Sequence, residues 1–299
     1  MSEIIYGSEV AASIKEELKQ EISLIKGRLP KLCVVLVGNN PASLSYVKGK
    51  EKATIEVGML SDVIRLDEQT SEQELIKLIN QLNNDDSVDG ILVQMPLPKH
   101  ISENNIMEHI SPKKDVDGLN PYNIGRLYLK EEGLFPCTPL GVIEILKRSN
   151  IKIAGKNAVI VGRSKLVGNP VSKMLLDENA TVTTCHSKTA DLKAVCKSAD
   201  ILVVAIGKEK FITKDYVKDG AVVIDVGINR NEEGKLVGDV DFDDVKDIAS
   251  FITPVPKGVG PMTIAMLLSN TYKAYKIREN ENAWVWFKWY CWNEKRTSL

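Results

Sequence analysis

Four side chains in the first half of the chain have the types and spacing that acid–base chemistry and ligand orientation require. Tyr46 and Lys50 are four positions apart, so on a helix they would share one face. Gln94 follows a short apolar run, where a polar amide needs a hydrogen-bond partner. Asp117 lies in the loop that comes next. By spacing alone, Tyr46 and Lys50 also fit an ordinary helix face with a solvated lysine, and that alternative stays open at this point.

A second group of candidate residues lies in the stretch 159–170, which combines a buried strand, a glycine turn and the start of a helix. Backbone N–H groups at such a turn bind the phosphates of a dinucleotide. Gly162 and Gly168 have five residues between them, which is not the common GxGxxG spacing. The order of strand, turn and helix therefore supports the interpretation more than the glycines do. Arg163 and Ser164 lie in the turn itself.

The next turn of this half favours NADP over NAD. NAD-binding folds place a carboxylate about 20 residues further on, where it binds the ribose hydroxyls. Here the second strand runs into Cys185-His-Ser187-Lys188, with no carboxylate. Ser187 and Lys188 would accept a 2′-phosphate, and Arg163 would pair with it through two hydrogen bonds. A solvated polar turn is the alternative. Gly207 ends the following strand, where a small residue lets a dinucleotide pass close to the backbone.

The elements that position these residues alternate between strands and helices, which predicts an α/β fold with parallel sheets. We expect strands at 32–38, 60–66, 90–95, 157–161, 180–184, 201–205, 221–226 and about 250–252. We expect helices at about 8–26, 42–57 and 71–84, one starting at Thr138 as N-cap, and one from about 261 to 280. Ser71 with Glu74 fits a capping box.

The alternation predicts two lobes joined by two long helices, with a ligand cleft between them. We expect residues 1–137 with 263–299 to form the substrate-binding and catalytic domain. Residues 138–262 are predicted to form a Rossmann-like dinucleotide-binding domain.

Composition narrows the class of protein. The 299 residues include 39 basic and 40 acidic side chains, a balance that argues against a nucleic-acid coat or a polybasic membrane surface. No apolar run reaches the roughly 18 residues of a membrane span, and no secretory signal is visible. The five cysteines and three histidines are scattered, which argues against a disulfide framework or a metal site. We expect a cytoplasmic protein with reduced thiols.

All four tryptophans lie within the last 16 residues, at positions 284, 286, 289 and 292. An amphipathic extension packed on the first lobe, or an extension unrelated to function, is the simplest interpretation. A segment that contacts a partner or a membrane is the alternative. No chemistry is assigned to it.

Taken together, the motifs resemble those of the bifunctional methylenetetrahydrofolate dehydrogenase/methenyltetrahydrofolate cyclohydrolase family. The resemblance runs in collinear order over about residues 1–280. It rests on Tyr46-x-x-x-Lys50, Val93-Gln-Met-Pro-Leu-Pro98, Lys114-Asp-Val-Asp-Gly118, Pro136-Cys-Thr-Pro139, Val161-Gly-Arg-Ser-Lys-Leu-Val-Gly168, Thr184-Cys-His-Ser187, Ile224-Asp-Val-Gly-Ile-Asn229, Thr253-Pro-Val-Pro256 and Gly258-Val-Gly-Pro-Met-Thr263.

The resemblance implies two reactions: 5,10-methylenetetrahydrofolate gives a hydride to NADP⁺, and the methenyl product is hydrolysed to 10-formyltetrahydrofolate. It implies Lys50 as the catalytic lysine, supported by Tyr46 and Gln94, with Asp117 anchoring the pterin. It also implies a homodimer formed through the cofactor lobe. Residues implied to bind the cofactor are Thr138, Gly162, Arg163, Ser164, Gly168, Ser187, Gly207 and Ile228. Those implied to bind substrate are Tyr46, Lys50, Gln94, Asp117, Pro256 and Thr263.

Some alternatives stay open. Lys50 acts either as a base with a strongly lowered pKa or, beside Asp117, as a protonated acid or electrostatic activator. Lys257 stands where most members of the family have glycine, and it either contacts the glutamate tail of the folate or points to solvent. A monofunctional NADP dehydrogenase and a non-catalytic dinucleotide sensor are the alternative functions.

Overall fold

The computed structural model describes the backbone of residues 2–294 and the side chains of residues 2–280. The predictions about the tryptophan side chains therefore lie outside the described residues. The strands are β1 (Glu3–Ile4), β2 (Lys31–Val37), β3 (Leu60–Leu66), β4 (Gly90–Val93), β5 (Asn157–Val161), β6 (Thr181–Cys185), β7 (Ile201–Val204), β8 (Val222–Asp225), β9 (Asn229–Arg230), β10 (Leu236–Val237) and β11 (Phe251–Ile252). The helices are α1 (Gly7–Ser23), α2 (Pro41–Glu56), α3 (Glu72–Asn84), α4 (Glu103–His109), α5 (Pro121–Leu129), α6 (Cys137–Arg148), α7 (Gly168–Asp177), α8 (Leu192–Lys197), α9 (Phe242–Val245) and α10 (Val259–Glu294).

The chain divides into two compact units. The first consists of Met1–Glu17 and Asp117–Leu267, and the second of Leu18–Val116 and Leu268–Leu299. Parallel sheets in both units confirm the predicted α/β class with two lobes. The domain limits drawn from the sequence stay a prediction.

The second unit contains a three-stranded parallel sheet in the order β3-β2-β4. The central strand β2 is buried over Leu32–Val37, because both faces of a parallel sheet are covered. Its helix α3 begins with the predicted capping box: the Ser71 hydroxyl accepts from the Glu74 N–H, and the Glu74 carboxylate accepts from the Ser71 N–H. The predicted strands and helices of this region agree with the structure to within about three residues at each end.

The first unit contains a six-stranded parallel sheet in the order β1-β11-β8-β7-β5-β6. Its four central strands β11, β8, β7 and β5 are short apolar runs, and β9 pairs with β10 separately as an antiparallel ribbon. The carboxyl ends of parallel strands lie at one edge of a sheet, so the loops after β5, β6, β7 and β8 come together there. This edge holds the residues predicted to bind a dinucleotide.

One helix start differs from the prediction. Helix α6 begins at Cys137 with Pro136 as N-cap, so Thr138 lies inside the first turn and makes no cap. Its hydroxyl instead pairs with that of Thr263 on α10, with 2.9 Å between the two oxygens. The Thr138 hydroxyl therefore bonds to a residue of another helix instead of capping its own. Sequence spacing alone does not reveal that distant partner. Helix α10 also extends beyond the predicted end near 280.

The described residues contain neither a membrane-spanning helix nor a cluster of metal ligands. None of the helices in that part of the chain is both long and apolar enough to cross a membrane. Within the same residues, no group of three or more His, Cys, Asp or Glu side chains is placed to hold a metal ion.

Candidate functional site

Lys50 and Gln94 are held together by two different elements of the second unit. Helix α2 begins at Pro41, and the Asn40 side chain caps it by accepting hydrogen bonds from the Ala42 and Ser43 N–H groups. This start places Lys50 in the third turn. Gln94 directly follows β4, and its N–H donates to the carbonyl of Val35 on the central strand.

The side chain of Gln94 is fixed in one orientation. Its amide nitrogen donates to the carbonyl of Met95 at 2.6 Å, which turns its oxygen toward Lys50. The Lys50 ammonium donates to that oxygen, with 2.9 Å from Nζ to Oε1. Gln94 is only 9% exposed, so the pair is rigid at the amide end. The hydrogen bond to Gln94 therefore holds the Lys50 amine at the end of β4.

Tyr46 lies one turn before Lys50 on α2, as the spacing predicts. Its side chain is 53% exposed, so its phenol is accessible to a ligand. An ordinary solvated helix face does not describe Lys50, because the contact with Gln94 orients it. For Tyr46, the structure shows an exposed side chain on the same face of α2 as Lys50.

The loop that carries Asp117 is anchored on both sides. Before it, Lys114 is buried and its ammonium donates to the carbonyls of Leu82 and Asp85 at the end of α3. Burial lowers the pKa of Lys114 below its ordinary value. After it, Gly118 has φ 73°, and a Cβ there would lie 2.2 Å from the carbonyl carbon of Phe135. Lys114 opens one of the motifs that carry the resemblance, but a lysine in a charged loop gives no sign of burial in the sequence.

The glycine turn after β5 has the geometry of a phosphate-binding loop. Gly162 has φ 128°, and a Cβ there would lie 2.2 Å from the carbonyl oxygen of Ala205. A Cβ on Gly168 would lie 2.2 Å from the carbonyl oxygen of Gly162. Both positions therefore require glycine. The Ser164 hydroxyl accepts from the N–H groups of Val167 and Gly168, which orders the start of α7.

The donors in and near this turn fit a dinucleotide with a 2′-phosphate. Arg163 is exposed in the turn, and Ser187 and Lys188 are exposed after β6. The turn 185–189 contains no carboxylate and is ordered by local bonds, including one from the His186 N–H to the Thr189 hydroxyl. A set of cationic and hydroxyl donors without an acidic group suits a phosphate and disfavours the NAD-type ribose contact.

The remaining predicted residues occupy loops of the first unit. Gly207 has φ 63° with open space where a Cβ would be, and Ile228 is 47% exposed after β8. Pro256 and Lys257 are exposed just before α10. Lys257 has φ 79°, a left-handed conformation that favours glycine. That conformation accounts for the glycine expected there from the resemblance.

Two buried carboxylates of the first unit, Asp225 and Asp239, are not among the site residues predicted from the sequence. Asp225 is the last residue of β8, and Asp239 follows β10. Both accept hydrogen bonds from the loops that carry the predicted cofactor-binding residues. Asp225 belongs to the motif 224–229 that carries the resemblance, but neither residue is marked as buried in the sequence: each only adjoins an apolar run, as many surface residues also do.

A parallel sheet with a glycine turn and basic donors at its carboxyl edge defines a dinucleotide-binding α/β protein. Two family models match the chain: the NAD(P)-binding domain of tetrahydrofolate dehydrogenase/cyclohydrolase over residues 136–279, and the catalytic domain over residues 5–117. The chain belongs to the tetrahydrofolate dehydrogenase/cyclohydrolase family.

Relatives and solved structures agree with this assignment. The chain is 56% identical over 275 residues to the bifunctional protein FolD of Bacillus anthracis, covering 91% of this chain and 96% of that protein. The crystal structure of the bifunctional FolD enzyme from Campylobacter jejuni superposes with a TM-score of 0.91 at 52% identity, covering 93% of this chain and all of that one. A Trypanosoma brucei FolD structure, complexed with NADP and an inhibitor, gives 0.87 at 37% identity over 93% and 98% of the two chains.

Proposed function

We propose that this chain catalyses two successive steps on a reduced folate. 5,10-Methylenetetrahydrofolate is oxidised to 5,10-methenyltetrahydrofolate with NADP⁺, and the product is hydrolysed to 10-formyltetrahydrofolate. The observation that carries this function is the Lys50–Gln94 pair at the end of β4, in a chain that matches both domains of the family. Hydride transfer requires orientation above all, whereas hydrolysis requires a group that moves protons.

NADP supplies the hydride acceptor when it is bound. Gly162, Gly168 and the N–H groups at the start of α7 are proposed to bind its phosphates, assisted by Ser164. Arg163 and Ser187 would hold the 2′-phosphate. Thr138, Gly207 and Ile228 complete the proposed binding surface. The donor set described above and the NADP complex of the Trypanosoma brucei relative support this choice.

The substrate is a tetrahydrofolate derivative. Asp117 is proposed to orient the pterin, because a carboxylate accepts two hydrogen bonds from an aminopyrimidine edge. Tyr46, Pro256 and Thr263 would form other contacts with the folate. Lys50 is proposed to move protons during hydration and ring opening, with Gln94 fixing the direction of its Nζ.

A lysine pair on α2 tests the role of Lys50. Lys50→Met should abolish cyclohydrolase activity and retain NADP⁺ binding, because only the proton-transfer group is removed. Lys48→Met alters an exposed residue of the same helix and should behave as the unchanged chain. Absorbance of the methenyl product and of NADPH separates the two activities. Cyclohydrolysis at an unchanged rate in Lys50→Met would contradict the assignment.

The chain is further proposed to act as a cytoplasmic homodimer. Cys33, Cys137, Cys185 and Cys196 are buried free thiols, which is typical of a reducing compartment. Strand β6 forms one edge of the six-stranded sheet, and an edge strand has backbone groups that a second copy can cover. Sedimentation analysis of the full chain tests the dimer: a single monomeric species at micromolar concentration would contradict it.

A further inference from the structure

Two carboxylates lie buried beneath the carboxyl edge of the six-stranded sheet. Asp225 is 3% exposed and Asp239 is fully buried. Among the described residues 2–280, the hydrogen bonds that these two side chains accept come from neutral backbone and amide N–H groups. A buried carboxylate without a cation must be stabilised by hydrogen bonds, so the donors around these two side chains are informative.

Asp239 organises the loop after β7. One oxygen, Oδ2, accepts from the N–H groups of Ile206 at 2.6 Å and Gly207 at 2.9 Å. The other, Oδ1, accepts from the N–H of Lys208 at 2.8 Å and from the side-chain amide of Asn229 at 2.9 Å. Three consecutive backbone N–H groups therefore point at one carboxylate and form an anion-binding nest around it. The same side chain also binds the segment after β8 through Asn229.

Asp225 in turn fixes the backbone of Asp239. Its carboxylate accepts from the N–H groups of Gly227, Asp239 and Val240 at 2.9–3.0 Å. Its own N–H donates to the Thr253 hydroxyl. The two carboxylates thus form a chain of contacts from the end of β8, through Asp239, to the loop after β7.

The packing around this carboxylate pair leaves no space for other side chains. A Cβ on Gly227 would lie 2.1 Å from Cγ of Asp239. A Cβ on Gly238 would lie 1.8 Å from Oδ2 of Asp225. Both glycines are therefore required by the carboxylates rather than by an unusual φ. The arrangement specifies one position for the segments 206–208 and 227–229.

We propose that Asp239, held in place by Asp225, is a positioning residue for dinucleotide binding, because it sets the conformation of the two segments that present Gly207 and Ile228. This inference rests on the proposed cofactor function. Asp239 would act through the backbone, because its two oxygens accept from the N–H groups of residues 206–208 and from the Asn229 amide. Its removal should therefore weaken cofactor binding without changing any group that touches the cofactor.

Asp239→Asn in the full chain tests the role, since it keeps the size of the side chain but turns an amide N–H₂ toward two donors. The dissociation constant for NADP⁺, measured by calorimetry, should rise about tenfold or more, the scale of one lost charge-assisted hydrogen bond. Hydrogen exchange at the Gly207 and Lys208 amides should accelerate, a change that a purely global loss of stability would spread over the whole sheet.

Asp200→Asn is the matched control. Asp200 also accepts a backbone N–H, from Asn157, and binds Lys218, but it lies before β7 at the opposite edge of the same sheet. This variant should lose thermal stability and keep the NADP⁺ dissociation constant of the unchanged chain. An equal weakening of NADP⁺ binding in both variants would overturn the proposal.

The outcomes separate this inference from the proposed function. If Asp239→Asn folds and binds NADP⁺ within twofold of the unchanged chain, the positioning role is overturned although the cofactor assignment stands. If Asp239→Asn does not fold, Asn229→Ala decides, since it removes one donor and leaves the carboxylate: weaker NADP⁺ binding supports the role, and unchanged binding overturns it. If the unchanged chain binds no NADP⁺, the proposed function itself fails, and this inference with it.

Discussion

The ammonium of Lys50 donates to the amide oxygen of Gln94 across 2.9 Å, and the amide nitrogen of Gln94 is occupied by the carbonyl of Met95. Because the amide cannot rotate without losing a hydrogen bond, Gln94 offers the Lys50 nitrogen an acceptor in a fixed position. The amide of Gln94 is itself neutral, so this contact orients the amine without adding a charge beside it.

We therefore expect Gln94→Leu to reduce cyclohydrolase activity by about 10²-fold, the usual scale for a mispositioned proton-transfer group. NADP⁺ affinity should not change, since Gln94 belongs to the other unit from the glycine turn. Stopped assays of methenyl hydrolysis measure the effect. Gln69→Leu, which changes an exposed glutamine, serves as the control. If cyclohydrolase activity of Gln94→Leu fell by less than about threefold, the orientation of Lys50 would not depend on Gln94.

Arg163→Ala should discriminate between the two nicotinamide dinucleotides. Loss of a guanidinium from a phosphate costs about 2–3 kcal/mol, which corresponds to a 30- to 150-fold loss in kcat/KM for NADP⁺. The value for NAD⁺ should change little, because NAD⁺ has no 2′-phosphate. Arg230→Ala, at an exposed arginine of β9, should affect neither. Equal losses for both dinucleotides would place Arg163 away from the 2′-phosphate.

The stability of the chain should depend on Asp225 in a defined pH range. Burial, together with the nearby charge of Asp239, raises the pKa of Asp225 to about 7, against three backbone N–H bonds that lower it. Between about pH 4 and pH 7 the folded chain holds a proton that the unfolded chain has released, so the free energy of unfolding falls as pH rises. The full contribution is of the order of 4 kcal/mol.

Asp225→Asn mimics the protonated side chain and should flatten this dependence. Urea unfolding at about pH 5 and about pH 8 should show a smaller difference for Asp225→Asn than for the unchanged chain. Asp200 provides a contrast, since the Lys218 ammonium lowers its pKa: its contribution is constant between about pH 5 and about pH 8 and is lost only as pH falls below about 4. Identical slopes for Asp225→Asn and the unchanged chain would mean that Asp225 is ionised throughout this range.

Lys257→Gly should stabilise the chain. The left-handed backbone of Lys257, with φ 79°, destabilises the folded chain by about 1 kcal/mol relative to glycine. Glycine also raises the conformational entropy of the unfolded chain, which offsets part of that difference. We expect a net gain of about 0.5 kcal/mol in thermal or urea unfolding. Lys99→Gly, in an exposed loop without positive φ, should be neutral or destabilising. The same variant tests the glutamate-tail hypothesis: a higher KM for polyglutamylated folate alone would support contact, and an unchanged KM would favour the solvent-facing alternative.

Much of the fold follows from local sequence signals. The capping box at Ser71 and Glu74 is a contact over three residues, and the apolar strands are continuous runs, so both are visible without tertiary information. Tyr46 and Lys50 share a helix face for the same reason. Lys50 and Gln94 are 44 residues apart, so the spacing does not predict their contact; the resemblance implies only that Gln94 supports Lys50.

Side chains whose contacts are distant in the sequence are not predicted from local patterns. Thr138 was expected to cap a helix because its sequence neighbours suit a cap, but its hydroxyl has a partner 125 residues away. The roles of Lys114, Asp225 and Asp239 depend on burial, which their charge makes improbable from sequence. Such residues become predictable only when the surrounding strands are placed.

Strand β1 pairs with β11 across almost the whole chain, through bonds such as that from the Glu3 N–H to the Ser250 carbonyl. During synthesis on the ribosome, β1 therefore cannot pair until β11, close to the other end of the chain, has been made. The nascent sheet can assemble its inner strands first and add this one last.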